Sequence, residues 1–338
     1  MSKGAGYRGR GAQRSKKRDP WFTVIPLAIA VLLVIGMGAV AMGDMRKLSG
    51  SPSPVGTSNA AVATTPGSAS SSDSSSSPGD SAGDPLAPGA AQAAVNAVDQ
   101  LNDGAQFGVG VLDRDSGQET LGNEGTTQFY SASVLKLFLI TDLFHQQESG
   151  AITLSSGDLG NIHLALTQSD DNAMDALWES YDGPQAIAQL TALAHLQDTD
   201  VPDDINETGE WGETLISARD VLAVYQYMLT SLNTADRQLI LTDLNNAAPD
   251  GSDGFDQSFG LLGSTRNGDT KAKQGWMEFN DQVMLHTTGI VDSGDDVVVA
   301  LLSEQSGSGS DADYAAGRQD VDQATAVLLK ALGPDATD

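Results

Sequence analysis

Apolar and polar positions change character several times along the chain. From Trp21 to Met42 the sequence WFTVIPLAIAVLLVIGMGAVAM runs 22 residues without a charge, and about 20 apolar residues are what a helix needs to cross hydrocarbon. From about residue 48 to 90, Ser, Gly, Ala and Pro replace apolar side chains, including SASSSDSSSSPGDSAGD. Such a stretch cannot bury enough surface to order itself, so a flexible tether is predicted. Periodicity then returns. Ala90 to Leu101 has the spacing of an amphipathic helix that stops at Asn102-Asp103-Gly104. Phe107 to Leu112 alternates as a strand, Asp113 to Gly117 has turn chemistry, and Glu119 to Gly122 returns as a second strand.

The middle, residues 150–245, is mainly helical by pattern: Asn172 to Glu179, Pro184 to Ala194, Ala218 to Leu229 and Thr234 to Leu244. Val201 to Trp211 (VPDDINETGEW) interrupts it as a polar loop. Val283 to Val291 and Val297 to Ser303 are β-rich, and Ala315 to Leu332 closes as a helix. Helix, hairpin, helical block and late strands make an α+β order, with terminal helices packed on an antiparallel sheet beside a mainly helical subdomain. The expected organisation is a basic cytoplasmic tail over 1–20, a transmembrane signal-anchor over 21–42, a linker over 43–89 and a folded domain over 90–335.

Charge gives this organisation a direction. Lys3, Arg8, Arg10, Arg14, Lys16, Lys17 and Arg18 precede the apolar run and only Arg46 and Lys47 follow it, which predicts a cytoplasmic N-terminus and an extracytoplasmic body. Ala39-Val40-Ala41 also fits a small-x-small cleavage site, so secretion after cleavage near Ala41 is the alternative. No cysteine is present, which rules out a lipobox thioether and leaves an exported domain to its core alone, without disulfides. Nine of the 18 Lys and Arg, but only Asp19 and Asp44 of the 45 acids, lie in residues 1–47, so the remainder carries 9 − 43 = −34. That surface repels polyanions and argues against a nucleic-acid partner.

Candidate chemistry centres on Phe129-Tyr-Ser-Ala-Ser133-Val-Leu-Lys136-Leu. Positions three apart share one helical face, a hydroxyl needs an adjacent base, and an amine kept neutral by burial can be one. The start of a helix adds N–H groups able to steady negative charge. Competing signals are poorer. Gly79-Asp-Ser81-Ala-Gly83 matches G-x-S-x-G only formally, since it lies in low-complexity sequence rather than between strand and helix. Asp250 to Asp256 lacks the ligand alternation and closing Glu of a calcium loop. His145, His163, His195 and His286 are scattered, with no zinc spacing and no local triad, and read as surface or packing residues; no metal or other cofactor is expected. Trp178, Trp211 and Trp276 read as core residues, with Trp276 beside the proposed cleft.

Three motifs in order, Ser133-x-x-Lys136, Ser169-Asp170-Asp171 and Lys273-Gln274-Gly275, resemble the S-x-x-K, S-D-N and K-T-G set of class A β-lactamases and penicillin-binding proteins. GVGVLDRDSG before the serine, SDDNAMDAL and the final strand ending at Ser303 extend the resemblance over about residues 93–335. It implies Ser133 as the acylated nucleophile, Lys136 as its base, Ser169 as a proton relay and Lys273 as an electrostatic support. It further implies an oxyanion hole from the backbone N–H groups of Ser133 and Trp276, with Asp171, Gln274 and Gly275 at the substrate.

Departures from the family pattern qualify that picture. Asp171 replaces Asn and would favour a charged lysine beside it. Gln274 replaces the Thr or Ser that helps hold a substrate carboxylate. Val201 to Glu210 lacks the deacylating E-x-x-L-N motif, although Asp203, Asp204 and Glu207 are acids there. The Ser133 to Ser169 interval is short for a β-lactamase, which implies a missing wall of the cleft. Three functions therefore stay open: a membrane-anchored serine hydrolase acting on an amide or ester such as a cell-wall (peptidoglycan-derived) peptide, an inactive wall-binding scaffold, and a true β-lactamase with a displaced acid.

Overall fold

The computed structural model describes residues 86–101, 104–264, 270–291 and 296–333, with the side chains of Asn206 and Glu207 left aside. The tail expected over 1–20, the anchor over 21–42 and all but the end of the linker over 43–89 lie outside the described residues. Among the described residues no helix is long and apolar enough to cross a membrane.

The chain order is α1 (Ala90–Asp99), β1 (Gln106–Asp113), β2 (Gln118–Leu121), β3 (Phe129–Tyr130), a 3-10 turn over Ala132–Val134, and α2 (Leu135–Glu148). Then come α3 (Ser156–Thr167), α4 (Asp171–Ser180), α5 (Gly183–Leu193), α6 (Ile205–Thr208), a second 3-10 turn over Trp211–Glu213, and β4 (Leu215–Ile216). The last part is α7 (Ala218–Ser231), α8 (Thr234–Asn245), α9 (Gly260–Ser264), β5 (Lys271–Phe279), β6 (Gln282–Ile290), β7 (Val297–Ser306) and α10 (Asp311–Leu332). This is an α+β order.

Five antiparallel strands form one sheet in the order β2-β1-β7-β6-β5, and β3 pairs with β4 separately. The central strand β7 reads VVVALLS without alternation because both of its faces are covered. Val297, Val299 and Leu301 join an apolar cluster with α1, α9 and α10, while Val298, Ala300 and Leu302 join another with α2 to α5, α7 and α8. Gly110 on β1 permits the second contact: a Cβ there would meet Leu222 of α7 at 2.8 Å. The strand β5, by contrast, is an edge, and that edge faces the turn carrying Ser133.

Most of the longer elements lie where the pattern puts them, with differences at α3, α6 and α10. The helix α3 was not singled out from sequence, since Gly157 and Gly160 weaken its helical signal; a capping box between Ser155 and Asp158 starts it. The loop expected over 201–211 contains the helical turn α6. The last helix begins at Asp311, not Ala315, because Ser310 and Asp313 form a second capping box. Of the tryptophans, Trp178 and Trp211 are core residues at 6% and 8% exposure, and Trp276 is half-buried.

Candidate active site

Ser133 is held by an anchored turn. The Ser131 N–H donates to the Thr214 carbonyl at 2.8 Å and its hydroxyl to the Gly212 carbonyl at 3.2 Å. The Tyr130 carbonyl receives His286 Nε2 at 2.7 Å, and Ala132 takes a left-handed φ of 45°, a conformation a residue with a side chain holds only where its surroundings impose it. Gly275 of β5 lies close against the turn: a Cβ there would stand 3.2 Å from the Val134 nitrogen and 3.3 Å from the Ser131 carbonyl oxygen.

Directly after the turn, α2 is buried on every side from Leu135 to Phe144, so Lys136 cannot reach water by following its own helix. Its Nζ donates to Ser133 Oγ at 2.8 Å, the Ser169 carbonyl at 2.6 Å and Asp171 Oδ1 at 2.7 Å, with Ser169 Oγ at 3.3 Å. Three close acceptors match the three donors of an ammonium. Burial nevertheless pulls the Lys136 pKa below its usual value, and the carboxylates of Asp171, Asp170 and Asp253 pull the other way without overcoming it. The indole of Trp211 lies over the amine, 4.9 Å from ring centre to Nζ, and is itself fixed by a 2.8 Å bond from Nε1 to Asp175 of α4.

The second hydroxyl and second amine arrive from distant parts of the chain. Ser169, also left-handed with φ 52°, sits at the junction between α3 and α4, where Asp170 rather than Ser169 caps α4 through the Ala173 N–H. Lys273 of β5 donates to Ser169 Oγ and to the Gln274 carbonyl, both at 2.8 Å. It is fully buried, and its pKa lies well below the usual lysine value because of that burial first and of Lys136 second. Ser169 Oγ thus lies between two amines, one of which contacts Ser133.

The remaining candidates separate. Asp171 keeps a side chain 66% exposed while gripping Lys136. Gln274 was expected at a substrate carboxylate, yet it is 1% exposed on the opposite face of β5, where Nε2 donates to the carbonyls of Phe259 at 2.5 Å and Gln257 at 3.4 Å. Since the Gln274 carbonyl turns outward to Lys273, strand geometry puts the Trp276 N–H, two residues on, along the same free edge. Asp203 and Asp204 are exposed, and among the described residues Asp171 is the carboxylate bonded to Lys136. No group of three or more His, Asp or Glu is placed to hold a metal among those residues. His163 pairs with Asp243 and His145 with Tyr227; His195 is exposed, and His286 is buried in the sheet.

Comparison with known proteins gives this geometry a family. The "Beta-lactamase enzyme family" matches residues 90–157. Proteins of Mycobacterium tuberculosis and Mycobacterium bovis named "Putative lipoprotein LppW" are 32% identical over 231 residues, covering 67% of this chain and 70% of theirs. The chain belongs to one family with these LppW proteins. Solved structures agree at the level of fold. A class A β-lactamase representative from Bacteroides cellulosilyticus has TM-score 0.59 at 16% identity, covering 73% of this chain and 99% of that one. The structure titled PBP-A has TM-score 0.56 at 16% identity, with coverages of 74% and 98%.

In this relative of the LppW proteins two participants were not foreseen from sequence as parts of the site. Trp211 was read as core without its contact to Lys136; its position at the end of a polar, acidic loop was the available signal. Asp253 was read as part of a surface turn, but it accepts the Trp276 indole N–H at 3.0 Å and acts on both lysines. Its neighbour Ser252 ties that turn to Gln168, one residue before Ser169, through a 2.8 Å backbone bond.

Proposed function

We propose that this protein is an extracytoplasmic serine hydrolase that forms an acyl-enzyme at Ser133 on an amide or ester, with cell-wall peptide as the expected substrate class. The observation that carries the reading is the 2.8 Å contact between Ser133 Oγ and the fully buried Nζ of Lys136. In its neutral form Lys136 takes the hydroxyl proton as Oγ bonds to the substrate carbonyl carbon. Negative charge moving to the carbonyl oxygen is received by the N–H groups of Ser133 and Trp276. As the bond to the leaving nitrogen or oxygen breaks, Ser169 gives its proton to the leaving group and is reprotonated from Lys136 or Lys273, both within reach of Oγ. Water then cleaves the ester slowly, since the deacylating motif of class A β-lactamases is missing between Val201 and Glu210. Weak or no β-lactam turnover is expected.

One observation favours a second reading. The Asp171 ion pair stabilises the protonated amine, which is no base, and an inactive wall-binding protein would keep such a pair. Intact mass of the full chain and of Ser133→Ala, after a fluorophosphonate and after a penicillin, separates the readings. An adduct on wild type alone supports the hydrolase, and labelling by the fluorophosphonate but not the penicillin points to a substrate other than a β-lactam. Labelling by neither supports the scaffold, and rapid nitrocefin hydrolysis would support a true β-lactamase. The location proposed is the outer face of a membrane, with residues 21–42 as anchor, 43–89 as linker and 90–335 as the hydrolase domain, or secretion after cleavage near Ala41. The mycobacterial relatives carry the name lipoprotein, but with no cysteine this chain cannot take a lipid at a lipobox thiol.

A further inference from the structure

The charges around Ser133 do not balance. Two amines, Lys136 and Lys273, are buried, whereas Asp170, Asp171 and Asp253 act on Lys136, and Asp171 and Asp253 act on Lys273. Two amines that close in a dry site do not both hold a full charge, so three carboxylates outweigh them. Asp171 and Asp253 are also the exposed members of the set, the ones that an incoming molecule meets first.

Recognition of an anion is weak on the facing strand as well. The Gln274 amide, at the position of the family's hydroxyl, is turned to the far face of β5 and donates to the Phe259 and Gln257 carbonyls. The Trp276 indole N–H is directed at Asp253. Arg318 lies with the terminal helices, its guanidinium 5.3 Å from the Phe255 ring and 3.5 Å from the Asp256 carboxylate. Resting on the acyl-transfer reading above, we propose that this site selects acyl donors bearing a positive charge, or none, near the scissile carbonyl and rejects those bearing a negative one.

Three matched p-nitrophenyl esters test this on the full chain: 4-(trimethylammonio)butanoate, neutral 5,5-dimethylhexanoate and anionic 4-sulfobutanoate. In each, Ser133 Oγ bonds to the acyl carbon, p-nitrophenolate leaves, and the released colour gives the acylation rate, with the adduct mapped to Ser133 by mass. At low salt the cationic ester is expected to react at least about tenfold faster than the anionic one, with the neutral ester between. The ratio should shrink in about 1 M salt and in Asp171→Asn/Asp253→Asn. Equal rates, or faster reaction of the sulfonate, would overturn the selectivity while leaving acylation at Ser133 intact. Release of p-nitrophenolate at the same rate by Ser133→Ala would overturn the acyl-transfer reading itself.

Discussion

The two faces of β5 carry opposite kinds of polar group. Towards the Ser133 turn, Lys273 and Gly275 bring an amine to a hydroxyl and leave no room for a side chain between strand and turn. Towards the terminal helices, Ala272, Gln274 and Trp276 pack with Phe255 and Phe259, and the Gln274 amide serves backbone carbonyls. The same stretch, Lys273-Gln274-Gly275, thus meets Ser169 and the Ser133 turn at its first and third positions and the packing of the terminal helices at its second. The K-T-G resemblance therefore transfers by face rather than by motif, and an altered middle residue says more about packing than about catalysis.

The difference can be broken from the site side most severely. Lys136→Met removes the proposed base and should lower acylation of Ser133 by about 10²–10⁴-fold. Stability should fall as well, by about 1–3 kcal/mol, since the buried Ser169 carbonyl and Ser133 hydroxyl lose their Nζ donor; fluorophosphonate labelling rates and thermal melts check both parts.

A smaller effect is expected from His286, across the ladder from Gly275. Its Nδ1 accepts the Ser303 N–H at 3.1 Å, so the proton sits on Nε2, which donates to Tyr130. Burial pushes its pKa down to about 4 from 6.5. The folded state therefore binds fewer protons than the unfolded one between these values, and stability falls as pH drops from 6.5 to 4. The whole shift corresponds to about 3 kcal/mol. Denaturation midpoints of wild type and His286→Gln should diverge over that window, with the variant flatter.

On the packing face, Gln274→Ala leaves the Phe259 carbonyl without its side-chain donor and should cost about 1–3 kcal/mol of stability, while acylation changes no more than a few-fold. Gly275→Ala should do the reverse, lowering acylation by about tenfold through the displaced turn with a smaller loss of stability, as read by labelling rate against melting temperature. If both variants affected stability alone, the two faces of β5 would not differ as described.

Much of this arrangement was legible in the sequence. Strands such as Val297 to Ser303 announced themselves by apolar content, and the three motifs picked out Ser133, Lys136, Ser169 and Lys273, whose side chains do meet. What escaped was non-local or short. The pair β3 and β4 joins Phe129 to Ile216 through two residues on each side, too few for any periodicity. The direction of Gln274 depends on which side of β5 faces the turn, a question of register that composition does not answer. The contact of Trp211 with Lys136 spans 75 positions and needs the second 3-10 turn to bring Gly212 beside Ala132. Burial of Lys136 was foreseeable only from the apolar residues around it, Val134-Leu135 and Leu137 to Ile140.

The pH dependence of Ser133 acylation tests the claim on which everything else rests, that a buried lysine acts as its base. Plotted from neutral to alkaline pH, the rate should rise with a midpoint below the ordinary lysine value of 10.5. In Asp171→Asn that midpoint should move lower still, because the carboxylate that favours the charged amine has gone, and the variant should outpace wild type near pH 7. A midpoint at the ordinary lysine value in both proteins, or a profile unchanged by Asp171→Asn, would contradict the account.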